Sequence, residues 1–93
     1  MAHILESEAA LEDWFNDNEY EIAKKVVDTI LPNMENPVEV SLYNFKILET
    51  RREYDVSVSP EDYEETLKVY LEILEEYEDY HRCVYVKYAL DSY

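Results

Sequence analysis

The segment SPEDYEETLKVYLEILEEYED, from Ser59 to Asp79, decides the fold because it is the clearest helix in the chain. Ser59 is a favourable N-cap residue, and Pro60 suits the first helical position because its missing N–H would have no partner there. Glu61 then places negative charge at the positive end of the helix dipole. These signals predict one long helix over residues 60–79.

The predicted helix has two unlike faces. Apolar and aromatic residues recur at steps of four and three, namely Tyr63, Leu67, Tyr70, Leu74 and Tyr77. This stripe either packs into the core against a sheet or, because the tyrosines are seven residues apart, forms a seam between two copies of the chain in a homodimer. The opposite face carries one base, Lys68, and the acids Glu61, Glu65, Glu72, Glu75, Glu76 and Asp79. That face needs water or a basic partner.

Composition indicates one globular domain spanning residues 1–93, since 47% of the residues are hydrophobic and ten are tyrosines. The formal net charge is -15, from 23 acidic and 8 basic residues. Direct contact with nucleic acid or anionic lipid is disfavoured, because both would repel the chain. The single cysteine, Cys83, predicts a reducing, cytoplasmic location, and no apolar run approaches the length of a membrane span.

Few features point to catalysis. The chain contains no glycine, which excludes Gly-rich phosphate loops and the dinucleotide fingerprint, so we expect no cofactor. Glu78 and His81 have the spacing of a di-iron ligand pair, but the chain contains only one such pair, and we expect no metal site. No nucleophile and base form a recognisable set, and we expect no enzymatic activity.

The N-terminal third of the chain predicts two helices. Ser7 is expected to cap a first helix that ends near Asn16. Asn18, followed three residues later by Glu21, has the form of a capping box that opens a second helix ending near Leu31.

Alternating patterns predict strands in the middle and at the end of the chain. Val38, Val40 and Leu42 alternate with polar residues, and further alternation follows over residues 45–48 and 54–58. Helix is the competing interpretation for residues 42–53. Residues 82–89 also alternate and predict a closing strand, again with helix as the alternative. The predicted fold is α+β, with two N-terminal helices, a small antiparallel sheet, one long helix and a C-terminal strand.

The negative charge is concentrated in the helical segments. Residues 1–31 hold eight acids and two bases, and residues 60–79 hold nine acids and one base. Residues 32–59 and 80–93 are close to neutral. The first helical region adds three acids to the predicted surface, namely Glu12, Asp13 and Asp17.

Acids three or four residues apart on a helix are about 4.5 to 6 Å apart along its axis, and one strand of duplex DNA presents a phosphate about every 3.4 Å. A basic DNA groove would therefore attract the acidic helices much as it attracts phosphates.

In its acidic, tyrosine-rich and cysteine-poor composition and its short length, the chain resembles the small phage-encoded DNA mimics that block restriction, CRISPR or repair enzymes. The resemblance covers the whole chain in composition and includes no shared motif. It implies an inhibitor that occupies the DNA groove of a basic nucleic-acid-binding protein in the host cytoplasm. Two other functions stay open: an immunity protein or antitoxin that caps a basic toxin, and an adaptor module that dimerises through the tyrosine face and uses its charge for solubility.

Overall fold

The α+β class is confirmed by a computed structural model, which describes residues 2–92. Two helices precede a β-hairpin, and two more follow it. Single 3-10 turns lie at Leu31–Asn33 and Pro60–Asp62. The strands and helices, in chain order, are β1 (His3–Leu5), α1 (Glu8–Asp17), α2 (Glu19–Ile30), β2 (Val40–Ile47), β3 (Arg52–Val58), α3 (Tyr63–Glu76) and α4 (Tyr80–Ser92).

The sheet has three strands in the order β1-β2-β3 and is mixed rather than purely antiparallel. β2 and β3 form the expected antiparallel hairpin, which settles residues 42–47 as strand. The sequence pattern predicts no strand near the N-terminus, but β1 pairs in parallel with β2 through His3 and Phe45 and through Leu5 and Ile47. Three residues are too few to show an alternating pattern, so the sequence of β1 alone does not identify it as a strand.

A β-bulge in β2 keeps the apolar residues of the strand on one face of the sheet. Ser41 pairs with Ser57 and Tyr43 with Val56, which leaves Leu42 as the extra residue. Because of this insertion, the buried positions change from even numbers before the bulge to odd numbers after it. They are Val40, Leu42, Phe45 and Ile47. Val38, predicted to share this face, lies outside the strand and is exposed.

The predicted N-terminal helices are present, and their starts are correct. Ser7 caps α1, its hydroxyl accepting a hydrogen bond from the Ala10 N–H at 3.1 Å. Asn18 precedes α2 but does not form the predicted capping box, because its side-chain amide donates to the Trp14 carbonyl oxygen instead.

The predicted long helix is shorter than residues 60–79. Its first turn is the 3-10 turn Pro60–Asp62, with Ser59 at the N-cap position, and α3 ends at Glu76. Glu78 has φ 59°, the left-handed conformation that usually requires glycine. The Asp79 N–H donates to the Leu74 carbonyl and the Glu78 N–H to the Glu75 carbonyl, so the chain leaves α3 through a Schellman motif.

The predicted C-terminal strand is wrong, because residues 82–89 lie within the helix α4. Cys83 and Val86 are buried and Leu90 packs against the core, a spacing of three and four residues. The outward side of α4 is also apolar. Apolar residues on both sides of a helix erase the helical period, and the segment then reads as an alternating strand.

The core lies between the hairpin and the helices α2, α3 and α4. The helix α2 supplies five buried residues, Ile22, Ala23, Val26, Val27 and Ile30. The helix α1 covers the other end of the sheet, where Trp14 packs edge-to-face on Phe45 with ring centroids 4.9 Å apart. The helix α3 packs with one side on α2 and leaves its opposite side in solvent.

Candidate partner-binding surface

The outer side of α3 and of the turn before it carries five exposed acids, which we call the acidic face: Glu61, Glu65, Glu72, Glu75 and Glu76. The orientation of this face follows from the buried side of the helix. Leu67 and Leu74 are fully buried and two helical turns apart, so they fix the rotation of α3 about its axis. Acids on the opposite side of the helix are thereby directed into solvent.

The carboxylates of the acidic face have no cationic partner within the described residues. The ion pair of α3 joins Lys68 Nζ to Glu64 Oε1 at 3.3 Å, and Glu64 lies beside the acidic face rather than on it. Within residues 2–92, none of the five carboxylates accepts a side-chain hydrogen bond. Lys68 is three residues from Glu65 and four from Glu72, so one positive charge lies among the five carboxylates of the acidic face, which are themselves unpaired within residues 2–92.

A second group of acids lies on α1, where Glu12, Asp13 and Asp17 are all exposed. Within residues 2–92 their carboxylates also form neither ion pairs nor hydrogen bonds. α1 packs on β1 and α2, whereas α3 packs on α2 and α4. The predicted acids thus lie on two helices that share α2 as a neighbour.

Asp79, predicted to belong to the acidic face, has a structural role instead. Its side chain is only 8% exposed. The carboxylate accepts hydrogen bonds from the Tyr20 hydroxyl at 2.8 Å, from Arg82 Nη1 at 2.8 Å and from the Arg82 backbone N–H at 3.3 Å. The last of these caps the start of α4. A partner could not reach this carboxylate without disrupting the junction between α3 and α4.

Arg82 joins this junction to α2. Its Nε and Nη2 atoms donate to the two carboxylate oxygens of Asp28 at 3.0 and 2.8 Å, while Nη1 donates to Asp79. The hydrogen bonds to Asp28 and then to Asp79 raise the pKa of Arg82, so the guanidinium stays charged. Burial alone would raise the pKa of Asp79, but the hydrogen bonds from Tyr20 and Arg82 outweigh it and hold that pKa below its ordinary value.

The tyrosine stripe of α3 belongs mainly to the core of a single chain. Tyr63, Leu67 and Leu74 are fully buried, and the Tyr63 hydroxyl donates to the Val38 carbonyl oxygen. Burial raises the pKa of the half-buried Tyr70. Tyr77 is 48% exposed, and its ring stacks on Tyr20 with centroids 4.9 Å apart. The dimer-seam interpretation is therefore wrong for Tyr63, Leu67 and Leu74, because those residues are inaccessible to a second copy.

Nowhere in residues 2–92 do three or more His, Cys, Asp or Glu side chains converge so that they could hold a metal ion. The helices in that range lack the combination of length and apolarity that crossing a bilayer requires. Cys83 is buried, and burial raises the pKa of its thiol.

Comparison of the chain with models of protein families, with curated proteins and with solved structures finds no significant match.

Proposed function

We propose that the protein is a DNA mimic that binds a basic nucleic-acid-binding enzyme of defence or repair and inhibits it by occupying its DNA groove. The observation that carries the proposal is the set of eight exposed carboxylates on α1 and on the acidic face that have no internal partner in the described chain. Carboxylates that were already paired would have to break those pairs before they could bind a basic groove.

The spacing of the acidic face suits this role. Glu65 and Glu72 are two helical turns apart, and Glu75 and Glu76 follow Glu72 by three and four residues. At a rise of about 1.5 Å per residue, the intervals from Glu72 are about 4.5 and 6 Å along the helix axis. These intervals are of the same order as the phosphate spacing of about 3.4 Å per strand in duplex DNA.

The whole molecule supports the same attraction over longer distances. A net charge of -15 on a surface of 6369 Å² is about one negative charge per 425 Å². A field of this strength accelerates encounter with a positively charged groove and weakens as salt is added. Binding through the acidic face is therefore expected to be fast and sensitive to salt.

The test is competition with labelled duplex DNA on purified enzymes that bind DNA in a basic groove. A restriction endonuclease, a CRISPR nuclease and a uracil-DNA glycosylase represent the three classes of target. We expect the protein to displace DNA from at least one of them, with an affinity that falls by at least about tenfold between 50 and 200 mM salt. Failure to displace DNA from any of the three at low salt, or inhibition that does not compete with DNA, would argue against the proposal.

A matched pair of variants separates the acidic face from net charge alone. The first variant replaces Glu65, Glu72 and Glu76 by glutamine, and the control replaces Glu6, Glu35 and Glu49, which are exposed acids elsewhere in the chain. Both variants lose three negative charges and keep the shape of the side chains. Only the first should weaken inhibition strongly. Equal weakening in both variants would assign the effect to the overall charge and contradict a role for the acidic face.

A further inference from the structure

A stack of two tyrosines lies at the C-terminal end of the acidic face. Tyr77 follows Glu76, the last residue of α3, and its ring lies on the ring of Tyr20 from α2, with centroids 4.9 Å apart and an angle of 17° between the ring planes. Tyr20 covers one face of the Tyr77 ring, yet 48% of Tyr77 stays exposed, so the exposed part includes the second face of the ring. One side of the stack is therefore open to a partner.

The Tyr77 ring is held in place before any partner binds. Tyr20, on which it stacks, is anchored by its hydroxyl, which donates to Asp79 Oδ2 at 2.8 Å. The Asp79 carboxylate is in turn held by Arg82 Nη1 at 2.8 Å. A side chain that is fixed in this way loses little conformational freedom when it forms a new contact. The stack is therefore a preformed aromatic surface.

The stack already holds one cation of its own chain. Lys24 Nζ lies 4.5 Å from the centroid of the Tyr20 ring, which is within the range of a cation–π contact. This ammonium group is paired with Glu21 Oε1 at 2.8 Å, and the nearby guanidinium of Arg82 is paired with two carboxylates. Because these internal cations are neutralised, they do not prevent a further cation from approaching the open side of Tyr77.

Two acids without partners flank Tyr77 in the chain. Glu76 and Glu78 are both exposed, and in the part of the chain that the structure describes neither forms an ion pair. Adjacent Cα atoms are about 3.8 Å apart, so both carboxylates can reach a cation that lies on the ring. The ring supplies a flat, electron-rich face, and the carboxylates supply the charge.

Arginine fits this combination better than lysine does. Its guanidinium group is planar, so it stacks on an aromatic ring, and its N–H groups pair with carboxylates in the same plane. The ammonium group of lysine is a compact and strongly hydrated charge that gains less from a flat ring.

We propose that the Tyr77 ring, together with Glu76 and Glu78, is a binding site for an arginine side chain of the basic partner. The inference rests on the proposed function for the source of that arginine, which the DNA groove of the target enzyme supplies. Stacking adds a directional contact to the attraction between charges, so it favours a groove lined by arginine over one lined by lysine alone.

Hexaarginine and hexalysine peptides of equal charge test the site without any target enzyme. In titration calorimetry, Tyr77→Leu should weaken the binding of hexaarginine by about two- to fivefold, the effect of one exposed cation–π contact, and that of hexalysine by less than about twofold. Tyr77→Phe keeps the ring and should bind both peptides as the parent does. The control is Tyr88→Leu on α4, where the tyrosine is 74% exposed and has no acid beside it in the chain. It should leave both affinities unchanged.

Nuclear magnetic resonance reports the stacking itself. On binding to the parent, the δ-methylene protons of hexaarginine should shift upfield because of the ring current of Tyr77, and the shift should be absent with Tyr77→Leu. Circular dichroism verifies that each variant is folded. The absence of this shift with the parent, an equal loss of affinity for the two peptides in Tyr77→Leu, or equal effects of Tyr77→Leu and Tyr88→Leu would each overturn the proposal.

The DNA competition assay separates this inference from the proposed function. If Tyr77→Leu displaces DNA from a target enzyme as well as the parent does, the arginine site is wrong and DNA mimicry stands. If the peptide results are as expected and no enzyme releases its DNA, the Tyr77 site is supported and the proposed function is contradicted.

Discussion

Replacing Arg82 by methionine tests the junction that holds α4 against α2. Methionine keeps much of the apolar stem of arginine and removes the guanidinium. The substitution leaves the Asp79 carboxylate, which is 8% exposed, without the Arg82 Nη1 bond at 2.8 Å. It also removes the paired hydrogen bonds to Asp28. The folded protein therefore loses the ion pair that links α2 to the start of α4, while the hydrogen bond from Tyr20 to Asp79 remains.

The expected loss of stability is about 2 to 3.5 kcal/mol. A hydrogen bond to a charged and mostly buried group contributes about 1.5 to 3 kcal/mol, and the pair with Asp28 adds about 0.5 kcal/mol because Asp28 is 53% exposed. For a chain of this length, each kcal/mol lowers the melting temperature by about 4 to 8 °C. Arg82→Met should therefore melt roughly 8 to 28 °C below the parent protein.

Urea unfolding at pH 7, followed by circular dichroism, measures the change. Lys68→Met is the matched control, because the side chain of Lys68 is 58% exposed and that of its partner Glu64 is 50% exposed. Such a surface pair contributes about 0.3 to 0.5 kcal/mol. In the double variant Arg82→Met/Asp79→Asn the stranded charge is absent, so part of the loss should be recovered.

A loss of stability in Arg82→Met no greater than that in Lys68→Met would contradict this role of Arg82. Independent effects of the Arg82 and Asp79 substitutions would also contradict it, since residues joined by hydrogen bonds should show a coupling energy.

Two further predictions concern the end of α3 and the pH dependence of stability. Glu78→Gly should raise the free energy of unfolding by about 0.5 to 1 kcal/mol, because φ at Glu78 is 59° and glycine removes the steric cost of that conformation. Glu72→Gly, in the interior of α3, should lower it by about 1 kcal/mol, and a loss of stability in both variants would contradict the assignment. The free energy of unfolding of the parent should exceed that of Asp79→Asn by its largest amount at pH 7, and the difference should shrink as the pH falls below about 4. The reason is that the pKa of Asp79 is lowered in the folded state, so the carboxylate loses its stabilising contribution when it is protonated. Urea titrations from pH 7 to pH 2.5 measure it, and a difference that does not vary with pH would contradict the role of the Asp79 charge.

Most of the local structure could be predicted from the sequence where one face of an element is apolar. α2 repeats its apolar residues at helical spacing, and β3 alternates. The prediction failed at α4, because Val84 and Tyr88 on the outer side gave the same signal as Cys83 and Val86 on the inner side. A periodic pattern identifies a helix only if one side is polar.

The sequence predicted which helices carry the candidate surface, but it did not predict every residue of that surface correctly. The acids of α1 and the acidic face are exposed, and the positions of those on the acidic face follow from the spacing of Leu67 and Leu74 on α3. Asp79 was misplaced because α3 ends at Glu76 and the chain turns at Glu78. The turn directs Asp79 toward Tyr20 and Arg82. Tyr20 is distant in sequence, and Arg82 lies in a segment that was predicted as a strand.

The sequence by itself determined the class of the fold and the concentration of negative charge on two helices, because both depend on the order of residues within single segments. Tertiary structure decided which tyrosines are buried, which acid is paired and which helix keeps an uncovered apolar side. Those properties depend on contacts between α2, α3 and α4, and contacts between distant segments leave no periodic signal in the chain.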